Sequence, residues 1–329
     1  MTLSHSERLR MTLAGEKPDR IPVAFWHHLP VDDQDPKKFA EAVIAFQKQF
    51  DFDLVKITPA SSYCLKDWGV IDEWQGRDEG TRSYSHYVIK HPEDWGKLKI
   101  LDPYKNHLGG QLKSLEILKE AFGEQTPYMQ TIYNPLAQAK NLVGAENLLS
   151  HIRKYPEAVH EGLKIIQTTT ISFINALKDL GVSGIFYAIQ HASYRILTEE
   201  EYRGFGTFYD LPILESADDF WANIVHLHGF EVMFDLIADY PAQIINWHDR
   251  ETKPSLAEGL NRFKGTVCGG LSRIKTMVIG DDKKIKREVV DAVDQTNGKR
   301  FILSSGCVLP LTTPFGNINY ARNVVEEFK

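Results

Sequence analysis

The chain has 329 residues, 43% of them hydrophobic and 25% charged, and a formal net charge of −6. That is ordinary globular composition; it carries no basic footprint for nucleic acid, and no run of about 18 apolar residues is there to cross a membrane. The polar start from Met1 to Arg10 lacks the apolar stretch of a secretory signal, and three cysteines (Cys64, Cys268, Cys307) are too few for a disulfide framework and fit a reducing cytoplasm.

Taken in chain order, short runs rich in β-branched and aromatic residues alternate with longer amphipathic stretches. Strands are predicted at 21–26, 53–57, 128–132, 184–189, 222–227, 243–247, 265–268 and 300–303. Helices are predicted at 6–14, 36–50, 156–180, 199–216, 230–239, 254–263, 281–296 and 315–328. Gly181 and Gly298 stand where left-handed C-terminal caps belong, Thr198 is an N-cap before three glutamates, and Thr313-Pro314 opens the last helix. Eight strands with helices between them predict one α/β domain over 1–329, a TIM-type (β/α)8 barrel. A doubly wound open sheet is the competing architecture, and no Gly-rich fingerprint follows the first strand. Residues 59–126 break the rhythm as an insertion after the second strand; 81–90 alternates like a hairpin strand and 111–122 is helical. Such an insertion forms a lid or wall of the site.

In this architecture the site lies at the C-terminal ends of the strands. Those ends carry His27, His28, Thr58, Tyr133, Asn134, His191, His226, His228, His248, Cys268 and Cys307. Alternate residues of a strand share a face, so His226 and His228 can both face the barrel mouth. With Cys307 after the eighth strand they offer two imidazoles and a thiolate, a donor set that suits zinc and leaves one position open. Taken singly, a His-x-His pair is often two hydrogen-bonded histidines, and a lone cysteine is often a small buried hydrophobe. Of His27 and His28, at most one should face the mouth, to orient substrate or supply a proton. Tyr133 and Asn134 could donate hydrogen bonds to substrate. His248 is a further candidate, with Asp249 as its natural carboxylate partner.

Several segments resemble the uroporphyrinogen decarboxylase superfamily. They are Pro18-Asp19-Arg20-Ile21-Pro22-Val23, Phe52-Asp53-Leu54-Val55-Lys56, Tyr133-Asn134-Pro135-Leu136, and the closing stretch from Phe301 through Ser305-Gly306-Cys307 to Pro314 with Asn317-Ile318. The resemblance implies a TIM-type barrel. It also implies one of two chemistries. True uroporphyrinogen decarboxylases hold their polycarboxylate substrate with arginines after the first strand and an aspartate after the second; here those positions read Phe25-Trp26-His27-His28-Leu29-Pro30 and Ile57-Thr58-Pro59. The other branch, the methylcobalamin:coenzyme M methyltransferases, carries zinc on His-x-Cys after strand five and a closing cysteine. His226 and Cys307 match it, and His228 stands where that branch has its first cysteine. The resemblance thus implies zinc, a corrinoid carried on a partner protein, and a small-molecule methyl acceptor, with a homodimer among the oligomeric states left open. Decarboxylation of a porphyrinogen or smaller acid is the alternative. A metal-dependent hydrolase and a binding protein are weaker competitors, because hydrolytic barrels place His-x-His on the first strand and a binding protein has no need of a histidine-rich rim.

Overall fold

The computed structural model describes residues 2–328. Its strands are β1 (Val55–Ile57), β2 (Ile71–Glu73), β3 (Ser83–His86), β4 (Tyr128–Tyr133), β5 (Gly184–Ile189), β6 (Ile224–Leu227), β7 (Ile244–Trp247), β8 (Thr266–Leu271) and β9 (Phe301–Ser305). Seven of them form one all-parallel sheet in the order β1-β4-β5-β6-β7-β8-β9. The five strands from β4 to β8 and β9 are buried along their whole length, as parallel strands covered on both faces must be.

The first predicted strand, at 21–26, closes this sheet into a TIM-type barrel without becoming a regular strand. Val23 makes a single parallel bridge to Leu303. Leu303 N donates to Pro22 O (2.9 Å), Ala24 N to Leu303 O (3.0 Å) and Asp53 N to Val23 O (2.8 Å), which joins β9 to the segment before β1. Two features keep the ladder short. Pro22 has no N–H to give, and the Val23 N–H is diverted to the Asp53 carboxylate (2.8 Å).

Most predicted helices form. Pro36–Phe50 matches its predicted bounds, and Pro156–Leu177 runs on through a 3-10 turn to Leu180, with Gly181 left-handed beyond it (φ 70°). Thr198 makes a full capping box with Glu201. The expected helix at 230–239 shrinks to one turn, Phe234–Ile237. Residues before it are used otherwise: Val232 bridges Ser193, and Tyr194 N donates to Glu231 O (2.9 Å). Two helices were not predicted, Pro135–Val143 and Ala145–Lys154. The first is only nine residues long, and its polar Gln138 and Asn141 are buried along with its apolar residues.

The 59–126 insertion holds the β2–β3 antiparallel hairpin and ends in helix Asn106–Phe122, which returns to pack beside Pro36–Phe50 in the outer ring. Its loop between β2 and β3 lies against the barrel mouth. Leu311 N donates to Asp78 O (2.8 Å), and the Arg273 guanidinium pairs both its terminal nitrogens with the Glu79 carboxylate. Gly80 touches the mouth itself, with φ 73° and space so tight that a Cβ would stand 2.5 Å from His28 Cβ. Gly80→Ala is therefore expected to lower stability by about 1–3 kcal/mol through overpacking and a strained left-handed alanine. A urea titration checks this; an unchanged midpoint would mean that the loop does not rest on His28.

Candidate metal centre and cavity

The C-terminal ends of the strands and the insertion enclose a cavity of about 810 Å³. Trp26, His28, Lys56, Tyr133, His191, His226, His228 and Cys307 all line it. Three of these lining residues belong to a four-residue cluster. His226, His228, His248 and Cys307 each offer one nitrogen or sulfur, and these four atoms lie within 4.8 Å of one another.

Local structure explains how they meet. His226 stands in register with Asn246 on the neighbouring strand β7. Asn246 Nδ2 donates to the carbonyls of Cys268 (2.8 Å) and Ser305 (3.1 Å), which turns its Oδ1 toward His226 Nδ1 at 2.6 Å. An amide oxygen only accepts, so Nδ1 carries the imidazole proton and Nε2 presents its lone pair to the cluster. His228 follows two residues later on the same face, past the end of β6, and is exposed to the cavity. Cys307 arrives from β9 through a turn closed by Ser305 Oγ donating to Cys307 O (2.7 Å). Gly306 makes that approach feasible: a Cβ there would stand 2.6 Å from His248 Cα and 2.8 Å from Trp247 O.

Cys307 Sγ lies 3.7 Å from His226 Nε2 and 3.6 Å from His228 Nδ1. Tetrahedral bonds of about 2.3 Å to sulfur and 2.0–2.1 Å to nitrogen put S and N about 3.5–3.6 Å apart. The spacing is thus that of a tetrahedral edge. The donor set of nitrogen and sulfur fits zinc and not magnesium or calcium. His248 is buried, and its Nε2 has no hydrogen-bond partner, a costly state that a metal or substrate proton would relieve. Burial pushes the Cys307 thiol up, but its interaction with His226 first, and with the neighbouring His228 and His248 imidazoles, outweighs this and brings the pKa well below the ordinary thiol value. Burial likewise pushes His226 down, toward the neutral imidazole that ligation requires.

The other predicted site residues divide. His28 faces the cavity, and burial with the nearby Lys56 charge pushes its pKa down to about 3; its Nδ1 has no partner. His27 turns away, as strand alternation demands, and lies on the Phe46 ring at 4.2 Å between centroids; burial holds it at about 4. Tyr133 lines the cavity, and burial pushes its hydroxyl up. Asn134 does not reach it. Its Oδ1 caps helix Pro135–Val143 through Ala137 N (3.1 Å), and its Nδ2 donates to Asp210 Oδ1 (3.2 Å), so its role is structural. Asp249 is not the partner of His248; it accepts from Gly270 N (3.2 Å). The expected support for an imidazole comes instead from Asn246 to His226. Cys268 stays outside the cluster, its thiol pushed up to about 12 by burial.

Sequence reading missed Lys56 and Lys140. Lys56 lies in β1 with its ammonium 3.1 Å from Thr58 Oγ1 and 4.5 Å from the Phe186 ring centre; burial pushes it down to about 7. The signal was present, because a lysine inside an otherwise apolar run is rarely buried by accident. Lys140 lies in a helix that was itself not foreseen; its ammonium donates to Gln190 Oε1 (2.8 Å), and burial pushes it down too.

Comparisons with known proteins agree with this frame. The family model described as Uroporphyrinogen decarboxylase (URO-D) matches residues 4–328. The methylcobamide:CoM methyltransferase MtbA of Methanosarcina mazei is 22% identical over 244 residues, which cover 68% of this chain and 69% of that protein. MtbA of Methanosarcina acetivorans matches with the same identity and coverage, 22% and 68% against 69%. Among solved structures, a methyltransferase from Methanosarcina mazei superposes with a TM-score of 0.87 at 18% identity, covering 99% of both chains. A B12-independent methionine synthase from Shewanella sp. W3-18-1 gives 0.63 at 12% identity, covering 94% of this chain and 97% of that one. At such identities the two structures speak for the fold alone.

Proposed function

The chain belongs to the uroporphyrinogen decarboxylase family, and from that premise we propose that it is a zinc-dependent methyltransferase moving a methyl group between a corrinoid protein and a thiol or other small acceptor. The observation that carries this reading is the 3.6 and 3.7 Å spacing of Cys307 Sγ from two imidazole nitrogens, one of them held in the ligating tautomer. The likeness to the two MtbA proteins supports it.

In this reading His226, His228 and Cys307 would hold the metal, leaving one position for substrate. Zinc there supplies Lewis acidity, lowering the pKa of a thiol so that it reacts as thiolate. His248, which belongs to the cluster and keeps an unpaired Nε2, would take the proton released from the acceptor. His28, which lines the same cavity, would contact the substrate. The decarboxylase reading is weaker. No arginine follows the first strand, and of the three cavity arginines, Arg82 is tied to Asp72 (3.0 Å) and Arg273 to Glu79, which leaves Arg77 alone for a polycarboxylate.

Elemental analysis of protein purified without added metal tests the reading first, with one zinc per chain expected. Methyl transfer from methylcobalamin to a thiol is the second readout. Protein that takes up no zinc from a zinc-replete medium would end the proposal. Asn246→Ala carries a sharper expectation. It leaves His226, His228 and Cys307 in place but frees the His226 ring, so metal affinity should fall about 10–100-fold, the usual effect of losing a partner that orients a ligand. Competition with a zinc chelator measures this, and unchanged affinity would show that Asn246 does not set the tautomer.

A further inference from the structure

The cavity is larger and differently lined than a short aliphatic thiol requires. About 810 Å³ is the size of pockets that enclose drug-sized molecules. Its inner wall is aromatic, with the Trp26 and Phe186 rings edge to face at 5.3 Å. The Trp26 indole N–H is buried with no acceptor.

Two ammonium groups face the same space. Lys56 has three donors but only the Thr58 hydroxyl and the face of the Phe186 ring (4.5 Å) to meet them, and Lys140 has only the Gln190 amide oxygen; neither has a carboxylate partner among the described residues. Burying an ammonium without a counter-charge is expensive. The two acids that line the cavity do not offset this, since Glu79 is bound to Arg273 and Glu146 is exposed at the rim. Donors therefore outnumber acceptors around a flat, aromatic-walled space.

We infer that the substrate of this cavity is a planar aromatic anion, an aryl carboxylate or sulfonate whose ring lies against Trp26 and Phe186 and whose negative group pairs with Lys56 and Lys140. The inference rests on the methyltransferase reading for the fate of the bound molecule, but not for its binding.

Calorimetric titration of the full-length, zinc-loaded protein with four probes tests it. 4-Mercaptobenzoate has thiol, ring and charge; thiophenol lacks the charge, 3-mercaptopropionate lacks the ring, and benzoate lacks the thiol. 4-Mercaptobenzoate should bind at least about tenfold tighter than thiophenol or 3-mercaptopropionate, the effect of one charge-assisted contact. Lys56→Met and Lys140→Met should each remove at least about tenfold of its affinity and leave thiophenol within about twofold. Equal binding of 3-mercaptopropionate and 4-mercaptobenzoate, or lysine variants that bind the latter unchanged, would overturn the inference while leaving the zinc reading intact. Should the protein hold no zinc, the function fails separately and benzoate decides: binding lost in Lys140→Met supports the inference, and no binding at all refutes it. Thermal melts establish that each variant is folded, and the comparison of probes on the unaltered protein needs no variant.

Discussion

Cys307→Ala should strip the protein of zinc and abolish methyl transfer with little change in fold. A structural zinc site holds its metal with an apparent ~10–16 kcal/mol, or roughly 2.5–4 kcal/mol for each of four ligands. Losing one should weaken binding about a hundredfold to a thousandfold. Cys307 also draws the cluster together, being within 3.7 Å of both His226 Nε2 and His228 Nδ1. Cys268→Ala is the control, because that thiol is buried outside the cluster and its loss should leave metal content unchanged. If both variants retain one zinc per chain, the metal lies elsewhere. If neither they nor the parent bind metal, the cluster is a hydrogen-bonded group of histidines around a thiolate.

Asp53→Ala should cost about 3–5 kcal/mol of stability, the penalty for leaving buried cations without their counter-ion. Asp53 is completely buried and accepts from Arg8 Nη1 (2.7 Å), Arg20 Nη1 (2.6 Å), His5 Nδ1 (2.9 Å) and Val23 N (2.8 Å). It ties the N-terminal helix His5–Leu13 to the segment that closes the barrel. Burial raises its pKa, but the hydrogen bond from His5 and the charges of Arg20 and Arg8 prevail and hold it well below the usual carboxylate range. A carboxyl whose folded pKa is depressed stabilises the protein above its unfolded value of about 3.9 and loses that contribution as pH falls toward the folded value. The parent should therefore weaken steeply on acidification below about pH 4, and the Asp53→Ala variant, already lacking the contribution, should have a flatter stability profile in that window. Denaturant titrations at stepped pH measure both slopes, and parallel profiles would remove Asp53 from its role in acid stability.

The parts of this molecule that were legible in the sequence are those set by local rules. Parallel strands announced themselves as β-branched runs, and helix ends by Thr198 and Gly181. The approach of His226, His228 and Cys307 followed from strand alternation and from the barrel rule that strand ends meet at one rim. What the sequence hid depends on neighbours far along the chain. His248 was read as a separate candidate because nothing local says that Gly306 lets β9 press against it. Asp249 looked like a histidine partner because it is adjacent in sequence, yet it turns to Gly270, while Asn246 reaches His226 across a strand pair. Asn134 looked like a substrate contact at a strand end, but the same position is the N-cap of a nine-residue helix, Pro135–Val143, that the sequence reading did not foresee. The first strand was predicted as regular, and a side chain thirty residues away took its N–H.

The candidate metal donors and the outer wall of the cavity come from separate stretches of chain. His226, His228 and Cys307, with His248 beside them, sit on the ends of β6, β7 and β9, and Asn246 ties β7 to β6, β8 and β9 by hydrogen bonds. Much of the outer wall, including Ser61, Arg77, Glu79 and Tyr84, is supplied by the insertion between β1 and β4. Surface insertions tolerate changes in length and sequence at small thermodynamic cost. A lineage built on this plan can exchange one clientele of molecules for another by rewriting a single stretch, while the reaction it performs on them is inherited unchanged.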